Sequence, residues 1–420
     1  MARSSAAETH RTLAVTAPAS ASPRWLGDLR GRAALVVLGC LICQLALGYG
    51  YVFPALAPMI LPEFGWTRTE YTAVRVPQLL IMALASPVLG VLVVRLGARR
   101  ILVAAALLTG CIFLLLSQIQ QLWQLYALLM VGALGLVGLG DITVGQLVSH
   151  WVEKRRGLAL GLVYAGSNLA GALLVPLWVA LARADDWRTA FGVMGAGAFI
   201  VILPAILFLI RDRAVVARPH AVPRRPGSDG DLGLRQALRT RSFWILAFAL
   251  FVFFFYFVGV LDHLVLFLTD TGLSGERATE LFSRALAMGL VSKIVLGLLA
   301  DYIPEKTSIL VDHGLLTISS LLLLALPSES LLWPFVVFYG FSTAARDIVY
   351  PLIINRCFGE RYMAEIYGAL MLALPSGALG ALLAAQVHDR QGSYELAFLL
   401  FAGLNVLTLA GLLFVRDERS

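Results

Sequence analysis

The residues best suited to chemistry in this sequence are ionisable side chains that interrupt long apolar stretches. A charge at the middle of a bilayer costs about 2.5–3.5 kcal/mol on insertion scales, so each such residue is expected to have a function. The members of this set are Arg75, Asp141, Asp262, His263, Arg284, Lys293, Arg346 and Asp347. Apart from the histidine, the set contains three acids and four bases. This ratio favours ion pairs within the set, with one cation left unpaired.

The composition places these charges in a membrane protein. The 420 residues are 59% hydrophobic and 14% charged, and the mean hydropathy is +0.82. Soluble domains have about a quarter of their residues charged, and a water-soluble globule of this size could not hide so much apolar surface. These values exclude a cytosolic enzyme, a disulfide-framework secreted protein, a disordered chain and a nucleic-acid binder. The net charge of +7 then indicates Lys and Arg on the cytoplasmic side.

Apolar stretches recur from Ala33 onward, each long enough to cross a hydrocarbon core of ~30 Å as a helix. We predict twelve transmembrane helices, at about 33–61, 71–94, 101–118, 122–150, 157–182, 189–210, 243–268, 278–300, 307–326, 331–355, 362–386 and 394–415. Residues 1–32 have no signal-peptide pattern and are expected to form a cytoplasmic tail, as are residues 416–420. The predicted fold class is therefore an all-α integral membrane protein.

The distribution of basic residues predicts the orientation of the helices. Of the 33 Lys and Arg residues, five fall in external loops if both termini are cytoplasmic, and four lie inside helices. The remaining 24 are then cytoplasmic, as the positive-inside rule expects. The longest polar stretch, residues 211–242, is predicted to be a cytoplasmic linker that separates a six-helix bundle at 33–210 from a second one at 243–415.

The two predicted bundles align with each other at a constant offset of 207 residues. Gly90 falls on Gly297, Gly161 falls on Gly368, and Trp187-Arg-Thr-Ala-Phe falls on Tyr394-Glu-Leu-Ala-Phe. A single offset that survives several matches indicates an internal duplication. Copies of six helices have the same orientation, so we expect a pseudo-twofold axis along the membrane normal and a central site between the bundles.

The loop between predicted helices 2 and 3 reads Gly90-Val-Leu-Val-Val-Arg-Leu-Gly-Ala-Arg-Arg100. It resembles the hallmark loop of the major facilitator superfamily, with Val94 where that family has Asp. The second copy, which begins at Gly297, keeps this acid as Asp301. The resemblance implies a cytoplasmic gate formed by Arg95, Arg99, Arg100 and Asp301, and positive-inside anchoring is the alternative role of the arginines.

Further motifs are similar to the bacterial branch of monocarboxylate and oxalate/formate porters. They are Phe64-Gly-Trp-Thr-Arg68, Arg155-Arg-Gly-Leu-Ala-Leu-Gly161 and Asp186-Trp-Arg-Thr-Ala-Phe191. Monocarboxylate transporters have a substrate-binding Arg at the spacing that Lys293 has from Gly297. The resemblance therefore implies that Lys293 binds a substrate anion, and a structural ion pair is the alternative.

Arg346 and Asp347 are neighbours on predicted helix 10, about 100° apart, so only one of them is expected to face the centre of the cavity. Arg346 shares a face with Tyr350 and is a second candidate for anion binding, with pairing to Asp141 as the alternative. Asp141 itself is a candidate for substrate binding.

Asp262 and His263 on predicted helix 7 are candidates for proton coupling. A His side chain titrates near neutral pH, and desolvation can raise the pKa of an Asp side chain toward that range. The alternative is that both lie near the external end and contact water. The cation that monocarboxylate transporters carry on helix 1 is replaced here by Ala55. Arg75 and Arg284 are candidates for an external gate, or they snorkel to the interface.

The sequence thus predicts a secondary transporter of a small organic anion, driven by protons. An exporter of a drug-like or siderophore-like metabolite, an importer of a neutral vitamin and a transporter-like receptor remain alternatives. We expect no enzyme activity, cofactor, metal or nucleic acid, because enzyme motifs are missing and the closely spaced Cys40 and Cys43 lie inside an apolar run. The expected state is a monomer in the inner membrane.

Overall fold

The computed structural model describes residues 31–152, 156–212, 231–299, 302–326 and 328–419. Within these residues lie twelve long helices, which confirms the predicted all-α membrane architecture. They are α1 (Arg32–Phe64), α2 (Arg68–Leu96), α3 (Ala98–Leu116), α4 (Leu122–Trp151), α5 (Arg156–Ala184), α6 (Trp187–Leu209), α7 (Arg241–Asp270), α8 (Gly275–Leu299), α9 (Glu305–Leu324), α10 (Glu329–Phe358), α11 (Glu365–Gln391) and α12 (Glu395–Leu412). Each corresponds to one predicted segment.

Ten of these helices are long and apolar enough to cross a membrane by length and composition. The remaining two long helices, α8 and α10, carry Lys293 and the Arg346–Asp347 pair. Large apolar side chains elsewhere face outward, such as Phe208 and Ile200, and a bilayer is the environment that suits them.

Several helices that the sequence predicts as continuous are interrupted. α1 contains a 3₁₀ segment, Ala46–Tyr51, and α11 contains another, Met371–Ala373, just before Pro375, which has no N–H to donate. α4 breaks at Gly140, whose backbone is extended, so that a second helical piece begins at Asp141. The break places the Asp141 carboxylate at the N-terminus of a half-helix, where the helix dipole favours a negative charge.

The main packing contacts of α1–α6 with α7–α12 are those of α1 with α7, α2 with α11 and α5 with α8. Close approach depends on small residues. Gly340 on α10 lies against the carbonyl oxygen of Ala285 on α8, where a Cβ atom would collide with that oxygen. Three of the four cysteines are buried and all four are free.

The described C-terminal residues lie on the face of the bundle where α4 and α6 end and α7 begins. The Trp151 indole donates to the carbonyl oxygen of Arg211 at 2.9 Å, and the Ser242 backbone N–H donates to the Glu418 carboxylate at 3.1 Å. We call this face the tail side. We call the opposite face, where α1 meets α2 and α7 meets α8, the far side.

Candidate functional site

A cavity of about 180 Å³ lies between the two halves of the bundle. Its polar lining consists of Tyr51, Asp141, Tyr164, Ser167, Asn168, Lys293, Tyr339, Thr343, Arg346 and Asp347, contributed by α1, α4, α5, α8 and α10. Four of the eight ionisable residues that the sequence singles out therefore meet here. The polar residues of α5 were not predicted, because uncharged polar side chains are common in transmembrane helices and have no signal of their own.

Lys293 bridges the two halves across this cavity. Its ammonium group lies 3.1 Å from the Asp347 carboxylate on α10 and donates a hydrogen bond of 3.1 Å to the carbonyl oxygen of Tyr164 on α5. The side chain is 9% exposed. A nearly dry cation of this kind needs anionic partners to offset its lost hydration, and here the resident partner is Asp347.

Arg346 also pairs with Asp347, so one carboxylate is shared by two cations. The guanidinium carbon of Arg346 lies 5.0 Å from the ring centre of Phe254, in the range of a cation–π contact. Both Arg346 and Asp347 line the cavity.

The Asp141 carboxylate accepts a hydrogen bond of 3.0 Å from the Gln44 side chain on α1. It lines the same cavity, but the described acidic partner of Arg346 is Asp347 and not Asp141. Tyr350 lies outside the cavity lining. It is fully buried, and its hydroxyl lies 3.3 Å from the His313 ring on α9.

Arg75 and Asp262 form a bidentate ion pair between α2 and α7, with both N–O distances at 2.7 Å. The guanidinium carbon of Arg75 lies 4.5 Å from the ring centre of Phe53. Both charged side chains are buried. This burial excludes one of the two roles that the sequence left open for each residue. Arg75 does not snorkel to the interface, and Asp262 does not contact water.

His263 is fully buried beside this pair. One ring nitrogen lies 3.1 Å from the Tyr394 hydroxyl and the other lies 2.9 Å from the carbonyl oxygen of Ala381. The alternative that His263 contacts water at the external end is therefore also wrong. Its two contacts connect α7 with α11 and with the start of α12.

A polar network that the sequence did not predict joins the halves at the far side. Both terminal nitrogens of Arg68 lie 2.7 Å from the Asp270 carboxylate, and Arg68 also donates to the Tyr394 hydroxyl. The Thr69 backbone N–H donates to Asp389 at 2.7 Å. These contacts hold the far side closed. Arg68 was assigned only to an external loop, because sequence spacing does not reveal a partner some 200 residues away.

The predicted gate residues differ in their partners. The Arg99 guanidinium donates to the carbonyl oxygen of Leu207 at 2.7 Å and its backbone N–H donates to Asp212 at 3.1 Å, so it ties α3 to the end of α6 within one half. Arg95 and Arg100 are exposed on the tail side, and Asp301 lies outside the described residues. Arg284, predicted as an external gate, pairs with Glu280 on its own helix rather than with the other half.

Twelve membrane helices in two packed halves around a charged central cavity define a class of membrane transport protein. The family described as Major Facilitator Superfamily matches residues 38–378. The chain belongs to the Major Facilitator Superfamily, whose members are transporters.

Individual relatives agree with this assignment. The chain is 30% identical to the MFS-type transporter pytF of Aspergillus terreus over 37% of its own length and 49% of that protein. It is 27% identical to monocarboxylate transporter 13 of Bos taurus, over 79% of this chain and 77% of that one. The crystal structure of a bacterial homologue of the lysosomal transporter Spinster superposes with a TM-score of 0.66 at 15% identity, and covers 92% of this chain and 95% of that one.

Proposed function

We propose that this protein is a proton-coupled secondary transporter that moves a small organic anion, a monocarboxylate, across the inner membrane by alternating access. Both termini and the linker at residues 211–242 face the cytoplasm in this proposal, and the far side faces outward. The two bundles, residues 33–210 and 243–415, rock about the cavity between them.

The observation that carries the proposal is the sharing of Asp347 by Lys293 and Arg346 in the cavity between the halves. Two cations that converge on one carboxylate can accept a second carboxylate without a large change in geometry. Such a ligand would contact α8 and α10 directly and α5 through Lys293, so its binding would act on both halves at once. The cavity volume of about 180 Å³ suits a small anion better than a drug-like metabolite.

Proton coupling is supported by the buried pair of Arg75 and Asp262. The pair joins α2 to α7 across the interface that must separate when the far side opens. Once the pair separates, the Asp262 carboxylate no longer has the neighbouring cation that favours its ionised form, and it can take up a proton. Co-transport of one proton also makes the entry of a monoanion electroneutral, which removes a penalty of about 2.3 kcal/mol per 100 mV.

Uptake of labelled monocarboxylates, lactate and pyruvate among them, into proteoliposomes tests the proposal. An inward proton gradient should drive accumulation by the wild type, and Lys293→Ala should abolish it because the anion loses its principal contact. Lys306→Ala is the matched control, since the Lys306 ammonium donates to the carbonyl oxygen of Leu413 away from the cavity. Its uptake should remain within about twofold of the wild type.

A second variant separates anion binding from a purely structural role. Lys293→Ala leaves Asp347 with one cation fewer, so a thermal-shift assay should register a loss of stability. Lys293→Ala with Asp347→Asn should restore stability but not uptake. Uptake by this double variant at the wild-type rate would show that Lys293 does not bind the anion.

A further inference from the structure

Asp312 on α9 is a buried carboxyl group that the site described above does not include. It is 3% exposed, and neither of its carboxyl oxygens has a hydrogen-bond partner among the residues that the structure describes. An ionised carboxylate in such a position costs far more than a neutral one. The resident form of Asp312 in this conformation is therefore the protonated acid.

The neighbouring His313 does not supply the missing partner. Its Nδ1 lies 3.2 Å from the carbonyl oxygen of Ile309 and 3.6 Å from Asp312, which is too long for a hydrogen bond. Its Nε2 lies 3.3 Å from the Tyr350 hydroxyl. With Nδ1–H donated to Ile309 and Nε2 accepting from Tyr350, the imidazole is neutral and both of its nitrogens are used.

Asp312 lies behind the wall of the central cavity. α9 packs against α10, and Arg346 on α10 is close enough to act electrostatically on Asp312. The same Arg346 lines the cavity, and its buried Nε–H has no partner among the described residues. Its guanidinium group can therefore interact electrostatically with two carboxyl groups, Asp347 in the cavity and Asp312 behind it.

The other groups around Asp312 are polar but uncharged at neutral pH. Those on the helices around α9 are Tyr350 on α10, Tyr367 on α11, Tyr256 on α7, and Asn405 and Thr408 on α12. The single ionisable residue of α12 is Glu395, at its far-side start. A change of charge on Asp312 is therefore felt mainly by Arg346 and, through it, by the cavity.

We propose that Asp312 is a proton-binding site that controls the affinity of the cavity for the anion. This inference rests on the proposed function. With Asp312 protonated, the charges of Asp141, Asp347, Lys293 and Arg346 sum to zero, and a monoanion can bind. With Asp312 ionised, the site carries one extra negative charge that repels the anion and draws Arg346 away from it. Proton binding and anion binding are then mutually reinforcing.

Equilibrium exchange of labelled lactate or pyruvate in proteoliposomes, with equal pH on both sides, measures affinity without a proton gradient. The half-saturation concentration of the wild type should rise about tenfold from pH 5.5 to pH 8.5. This is the effect expected when the ionised Asp312 carboxylate repels the bound anion through a protein interior. Both probes are fully ionised over this range. Asp312→Asn, which is always neutral, should keep the low value at every pH, whereas Glu395→Gln should behave as the wild type.

A direct readout does not depend on transport. The infrared spectrum of the purified wild type should contain the C=O band of a protonated carboxylic acid at neutral pH, and Asp312→Asn should remove it. Asp312→Glu retains a carboxyl group and should retain a band, which covers the case in which Asp312→Asn does not fold.

Persistence of that band in folded Asp312→Asn would overturn the proposal, as would its absence from the wild type. Unchanged pH dependence of exchange in folded Asp312→Asn would also overturn it. If no monocarboxylate exchanges in the wild type while the Asp312 band is present, the proposed function fails and the proton site stands.

Discussion

At the scale of single residues, this protein contains two kinds of buried charge. Lys293, Arg346 and Asp347 surround a cavity and have unequal numbers of partners, so a further anion can enter the group. Arg75 and Asp262 match each other with two short hydrogen bonds. The first arrangement suits binding, and the second suits a contact that forms and breaks as the halves move.

The Arg75–Asp262 pair makes a prediction about stability. Asp262→Asn leaves the Arg75 charge buried without an anionic partner, and removal of one member of a buried pair typically costs about 3–5 kcal/mol. We expect a clear fall in melting temperature in a thermal-shift assay. Arg75→Gln combined with Asp262→Asn should recover most of this loss, because no uncompensated charge remains.

The same double variant tests coupling. It should exchange labelled monocarboxylate at equal pH but fail to accumulate it under a proton gradient. Asp262, the group proposed to carry the coupling proton, is gone, and Asp312 is proposed to set the affinity of the cavity rather than to carry that proton. Glu395→Gln, at the exposed start of α12, serves as the carboxyl control. Normal accumulation by the double variant would show that the coupling proton binds elsewhere.

At the scale of helices, the interruptions matter more than the regular parts. The break at Gly140 gives α4 a helix N-terminus next to the cavity, and Asp141 is the first residue of the new helix. The close contact between α8 and α10 brings Lys293 and Asp347 to within 3.1 Å of each other. Helix geometry thus determines which charges can meet.

The contact at Gly340 gives a prediction for these helices. Gly340→Ala places a methyl group against the carbonyl oxygen of Ala285 and should push α8 away from α10. Overpacking of this kind typically costs about 1–3 kcal/mol, so the melting temperature should fall. Gly403→Ala on α12 is the matched control, because no atom lies within 4 Å of its added Cβ. An equal effect of the two substitutions would contradict the close-packing explanation.

At the scale of the whole molecule, the polar contacts that join the halves within residues 31–152, 156–212, 231–299, 302–326 and 328–419 include groups at the far side and at the cavity. Arg68 with Asp270, Thr69 with Asp389 and Arg75 with Asp262 all join α2 or its first turn to α7 or α11. A motion that opens the far side must break these contacts together. The conformation described here is therefore closed toward the far side.

The proposed orientation predicts which side each loop faces. Gly227→Cys and Asp185→Cys can be labelled in whole cells with a membrane-impermeant maleimide, on a Cys111→Ser background because Cys111 is the exposed native cysteine. Residue 185 lies at the far side and should be labelled, whereas residue 227 should react only after the membrane is broken. The reverse pattern would mean that the termini face outward.

The sequence by itself determined the fold class, the number of long helices and the family. Length and apolarity are local properties, and a stretch of about 20 apolar residues has few stable states other than a membrane helix. The same reasoning found the charges that meet in the cavity, because a charge inside an apolar run is visible without any knowledge of its partners. Asp312 and His313 were missed although they gave the same signal on α9.

Only the tertiary structure decided which charges pair. Asp262 lies 187 residues from Arg75, and Asp270 lies 202 residues from Arg68. Ion pairs form where helices from different parts of the chain cross. The sequence does not show which of several oppositely charged residues a given charge will contact. The pairing of Lys293 with Asp347 likewise depends on the packing of α8 against α10. For this reason the sequence located the charged groups, and the packing of the halves assigned each of them to the cavity, to the interface or to the interior behind it.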